Sequence, residues 1–161
     1  MPASAQTAQM LEFAVAHGAP KNTDPALFKS YLAHVPPQVR SAFMERHPPE
    51  AVFNVLSAVF SAVQVRKSAT PAVHVNTTET SASVITLMPD QPFIVDTLLL
   101  GLKTEQMTYV AGFNMVLGVR RDASGQMTGV DGPGDALESH IFVECEPIET
   151  KTCKGQAKAL Q

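Results

Sequence analysis

Five histidines, two cysteines and fifteen carboxylates are the side chains of this 161-residue chain that could bind a metal, attack a substrate or move a proton. His17, His34, His47, His74 and His140 fall on separate stretches. None is spaced from another histidine or a cysteine as a zinc site requires. Each is expected to be a solvent-facing or helix-terminal residue. Cys145 sits on an apolar strand face, where a thiol acts as a small core side chain. Two cysteines, Cys145 and Cys153, do not make a disulfide framework, so a reduced, cytoplasmic setting is expected. Glu138, Glu144 and Glu146 have helix- or strand-surface explanations. No glycine pattern precedes a helix as dinucleotide or triphosphate binding demands. The run Gly129-Val130-Asp131-Gly132-Pro133-Gly134 lacks the following helix and lysine, and is expected to be a flexible hairpin loop. No catalytic residue, metal ligand or cofactor site is therefore expected, and an enzyme reading has no nucleophile–base pair to rest on.

One segment keeps a chemical possibility. Met88-Pro89-Asp90-Gln91-Pro92-Phe93-Ile94-Val95-Asp96 joins a strand to an amphipathic helix through a tight polar turn. The free N–H groups of a first helical turn attract an anion such as an amino-acid carboxylate. Asp90, Gln91, Phe93, Ile94 and Asp96 are the candidate ligand-binding residues. Capping alone is the competing explanation, with Asp90 or Gln91 as cap and Pro92 at the first helical position.

The elements that must hold this turn follow from periodicity. Apolar residues recur at helical spacing over residues 5–17, with Gly18 placed to end the run. Asp24-Pro25 opens a second helix to His34. Pro36-Pro37 separates it from a third, residues 38–46. Pro48-Pro49 precedes the longest expected helix, residues 50–66, whose apolar face of Val52, Phe53, Leu56, Val59, Phe60 and Val63 needs a cover. Composition changes at residues 67–71, dividing a helical segment (1–68) from an α+β domain (69–161). Strands are expected over residues 72–77, 83–88, 108–121 and 138–148, with a helix over 93–102 and a turn at Asp122-Ala123-Ser124-Gly125. In the last strand Ile141, Val143 and Cys145 alternate with His140, Glu144 and Glu146, which predicts one buried and one wet face.

A hydrophobic fraction of 45%, a charged fraction of 17% and a net charge of -3 are ordinary for a globular protein. They supply no electrostatic reason to bind nucleic acid, and Arg120-Arg121 is too small to be a basic patch. No stretch reaches the roughly 20 apolar residues a bilayer span needs.

The run from Met88 to Asp96, with Thr97, resembles a Pro-Phe-Leu-Val-Asp-Ser signature near the N-terminus of the large bacterial NAD-specific glutamate dehydrogenases. Val119-Arg120-Arg121-Asp122-Ala123-Ser124-Gly125 and Glu138-Ser139-His140-Ile141-Phe142-Val143-Glu144 follow in the family's order. The resemblance covers about residues 73–146. Leu87-Met88 replaces an acidic position of that signature, and Phe93 stands where a typical ACT turn carries glycine. The resemblance implies an ACT-like, ferredoxin-like βαββαβ domain, an antiparallel sheet with at least one packed helix. The second helix of that pattern would begin in residues 149–161. It also implies a non-catalytic regulatory or assembly role. The NAD cofactor and the oxidation of L-glutamate to 2-oxoglutarate would belong to a domain farther along the parent enzyme. The implied partners are the rest of that enzyme, a homo-oligomeric mate and an amino-acid effector, with neither nucleic acid nor membrane. A free-standing ACT-like amino-acid-binding protein is the alternative.

Overall fold

A computed structural model describes residues 3–67, 70–132 and 135–147. Four helices come first: α1 (Ala3–His17), α2 (Pro25–His34), α3 (Ser41–Arg46) and α4 (Pro49–Ala62). Their ends follow the expected chemistry. The Gly18 N–H bonds back to the Ala14 carbonyl at φ 79°, and Asp24 Oδ1 accepts from the Ala26 N–H at 2.8 Å, with Pro25 next in line. Two helical expectations need correction. Pro36–Gln38 forms a single 3-10 turn, so α3 starts only at Ser41. Helix α4 stops at Ala62 rather than Arg66, which leaves α1 longer. It stops because the chain beyond it pairs with a sheet turn. Val65 bridges Gln126, the Arg66 N–H donates to the Gly125 carbonyl, and the Met127 N–H donates to the Gln64 carbonyl.

The second half is β1 (Ala72–Thr77), β2 (Ala82–Pro89), α5 (Ile94–Thr104), β3 (Tyr109–Arg121), β4 (Met127–Val130) and β5 (Ala136–Cys145). The strands form one antiparallel sheet in the order β1-β2-β5-β3-β4. Both β2 and β3 run opposite to β5 between them, so β2-α5-β3 is a split β-α-β unit, the heart of a ferredoxin-like α+β fold. Strand β4 corrects the loop expectation, since Gly129 and Val130 pair with Arg120 and Val119. Pro133 and Gly134 lie outside the described residues, as do Cys153 and residues 149–161.

Each face of the sheet is covered. Ile85, Leu87, Phe113, Met115, Leu117 and Phe142 pack under α1–α4 in one cluster that contains the whole apolar face of α4. Val84, Ile141, Val143 and Cys145 pack under Ile94, Leu98 and Leu102 of α5 in a second cluster. Phe43 sits edge-on to Phe113 and Phe142 at centroid distances of 4.9 and 5.7 Å, tying α3 to the sheet. Each such buried ring contributes about 1.5–3 kcal/mol. The main cluster crosses residue 68, so helices and sheet share a core.

Gly125 is the tightest joint. It lies at φ 84°, and a Cβ there would collide with the Arg66 carbonyl. Gly125→Ala is therefore expected to lose about 1–3 kcal/mol through strain and overpacking. Urea unfolding checks this, and an unchanged midpoint would contradict the close approach of Gly125 to the Arg66 carbonyl.

Candidate functional site

The turn after β2 is held to its neighbour. The Asp90 N–H donates to the Leu137 carbonyl at 3.0 Å, and the buried Ser139 hydroxyl donates to Asp90 Oδ1 at 2.6 Å. Neither Asp90 nor Gln91 caps α5. That position belongs to Phe93, in the left-handed region at φ 64° with no side-chain cap bond, and Pro92 lies outside the helix. A bulky residue there is a conformational outlier. Its ring is 77% exposed, so it points to solvent and not into the core. Asp90, Gln91 and Asp96 are exposed around it, while Ile94 is buried beneath α5. Asp96 lies in the first helical turn, where its carboxylate complements the helix dipole.

The densest electrostatic site was not legible as one. Glu138 is buried, with 1% of its side chain exposed, which overturns its surface assignment. Arg66 Nε and Nη2 donate to its Oε1 at 3.1 and 2.8 Å. Arg121 Nε donates to the same oxygen at 2.9 Å, and its Nη2 to Oε2 at 2.8 Å. The remaining Arg121 donors reach the Val63, Gln64 and Gly125 carbonyls. Arg121 is thus an internal connector, not part of a surface patch. Burial alone would raise the Glu138 carboxyl, but bonds from Arg121, His140 and Arg66 outweigh it and hold it well below the usual carboxylate range.

His140 also departs from expectation, being fully buried rather than on a wet face. Its Nε2 lies 3.4 Å from Glu138 Oε2, and its ring stacks 6.1 Å from Tyr31. Burial depresses its pKa more strongly than the neighbouring carboxylate raises it. Burial likewise pushes the Tyr31 hydroxyl upward, and raises the Cys145 thiol to about 11, with Glu144 adding to the effect. A thiol so protonated is a poor nucleophile. The other histidines fit better: His17 and His34 lie in last helical turns, His47 ends α3, and His74 is exposed on β1. Among the described residues no group of three or more His, Cys, Asp or Glu is placed to hold a metal. Nor is any described helix long and apolar enough to cross a membrane.

A split β-α-β sheet with a polar turn between its first strand and helix defines an ACT-like α+β domain. The family model for the glutamate dehydrogenase ACT1 domain matches residues 27–159. The chain belongs to that family. No curated protein matches the chain. An ACT domain is a non-catalytic module, and residues 27–159 include most of α2, all of α3 and α4, and the sheet.

Both buried titrations act in one direction. The Glu138 pKa is lower in the fold than its unfolded value of about 4.3, so its stabilisation is complete above that pH and is lost as pH falls. His140 is also depressed in the fold, and unfolded chains take up its proton below about 6.5. Urea midpoints are therefore expected to fall in two stages on acidification, and His140→Gln should remove the first. Glu138→Ala, which strands two arginines, should cost about 3–5 kcal/mol at neutral pH. A midpoint flat from neutral pH to pH 4 would contradict this assignment.

Proposed function

We propose that this chain is a regulatory or assembly domain of a large NAD-dependent glutamate dehydrogenase. The family match over residues 27–159 is the observation that carries the reading. The ordered motifs around residues 88–97, 119–125 and 138–144 support it. On this reading NAD binding and the conversion of L-glutamate to 2-oxoglutarate lie in another part of a cytoplasmic enzyme, and the domain itself takes no cofactor. Its partners are that remainder and further copies of the chain, with neither nucleic acid nor membrane involved. The turn carrying Asp90, Gln91, Phe93, Ile94 and Asp96 is the proposed place for an amino-acid effector. Its anchoring to β5 through Ser139 supports that role, because a fixed turn loses less entropy when it binds.

Two experiments test the proposal. The coding sequence should continue past Gln161 into a dehydrogenase. Deleting residues 1–161 from that enzyme should leave turnover per site within about threefold while changing its assembly or effector response. Lost chemistry with intact assembly would overturn the regulatory reading. For the effector, an amino acid at 100 times its Kd should stabilise the chain by about 2.7 kcal/mol. Asp90→Ala should abolish the resulting rise in Tm, and a screen in which no amino acid shifts Tm would remove the effector from the account.

A further inference from the structure

Helices α1, α3 and α4 together line a pocket of about 140 Å³. That is room for roughly five water molecules or one very small ligand. Part of its wall is a polar group without a partner. Gln6 of α1 is buried, with 8% of its surface exposed, yet its side-chain amide has no hydrogen-bond partner among the described residues. Neither amide atom is sealed from solvent, so the amide opens on the pocket. Buried amides are nearly always bonded, and this one calls for an occupant.

The rest of the lining sets the occupant's chemistry. Glu45 of α3 is exposed and is the only charged residue among the described lining residues; Ser41, one turn earlier on α3, adds an exposed hydroxyl. Neither side chain is hydrogen-bonded or ion-paired to another described residue. Met44 and Val52 supply apolar surface, and Pro49 brings α4 to the pocket without an N–H to offer. An anion would meet Glu45 with no cation beside it. The free groups are acceptors: a carboxylate, an amide oxygen and a hydroxyl oxygen. A compact ammonium holds its water strongly, whereas a guanidinium is weakly hydrated and its planar fork of N–H donors matches a carboxylate bidentately.

We propose that this pocket binds a small free guanidinium compound, its N–H fork donating to the Glu45 carboxylate and its other donors to the Gln6 amide oxygen and the Ser41 hydroxyl. The small volume limits the ligand to little more than the head group itself. The inference stands on this pocket alone. Its failure leaves family membership and the effector turn untouched, just as silence at the turn leaves the pocket untouched.

Titrating the full chain with methylguanidinium and with acetate, followed by amide NMR, tests it. Methylguanidinium should move the Gln6, Ser41 and Glu45 amides saturably, while acetate should not. Glu45→Gln, at an exposed position that leaves the core intact, should weaken methylguanidinium about tenfold or more by removing the charge-assisted bonds. Gln6→Leu should weaken it too, and Ser41→Ala replaces that variant should it not fold. N-acetylarginine amide, which exceeds the pocket, should bind less tightly than methylguanidinium. Tighter binding of it would assign the pocket to a partner's arginine side chain and overturn the free-ligand reading. Equal binding of acetate, methylguanidinium binding unchanged by Glu45→Gln, or no saturable shift up to about 20 mM would each overturn the proposal as well.

Discussion

A single interior carboxylate, that of Glu138, joins the two halves of this domain. Arg66 reaches it from the segment just after α4, and Arg121 from the end of β3. Burying one carboxylate between two guanidinium groups is tolerable only because the remaining donors also find acceptors. Arg121 meets that condition with three backbone carbonyls at the end of α4 and in the β3–β4 turn. The shortened α4, the tight glycine at residue 125 and the bridge between Val65 and Gln126 all lie around this cluster. The apolar contacts supply most of the cohesion, but they are non-directional. The ionic cluster sets the position at which the helical layer sits on the sheet.

Most elements were legible because their signals are local. The Asp24-Pro25 cap, the glycine after α1 and the alternation in β1 and β3 depend on neighbours a few residues apart. The ends of α4 and α5 were not, because distant partners decide them. Gln64–Arg66 carries helical periodicity but pairs with the β3–β4 turn, and Asp90, which resembles a cap, is claimed by Ser139. The β5 pattern misled for a related reason. Polar residues alternating with apolar ones predict a wet face, yet this strand is central and covered on both sides at its first half, so Glu138, Ser139 and His140 were drawn inside, while Glu144 stays partly exposed and Glu146 exposed. Glu138 could enter because two arginines, 72 and 17 residues away in sequence, converge on it. Nothing in local spacing announces such a meeting.

The candidate turn was legible as a segment, but its geometry was not. Phe93 occupies a left-handed position that a typical ACT turn fills with glycine, and it holds an aromatic ring in solvent instead. The pocket in the helical layer was invisible because its residues come from α1, α3 and α4. The domain therefore presents two unlike surfaces on opposite faces of one sheet. One is a polar turn at the start of α5, and the other a small pocket lined by the Gln6 amide and the Glu45 carboxylate. The core between them, shared by helices and sheet, couples both surfaces to one folded unit.

That unity is the central claim, and the two tyrosines of the chain report on it directly. Tyr31 is buried in the helical layer, and Tyr109 begins β3. Urea unfolding followed by fluorine NMR of fluorotyrosine at both positions should give superimposable transitions that Glu138→Gln shifts together to lower urea. A Tyr31 signal that unfolds while Tyr109 remains native would contradict the account.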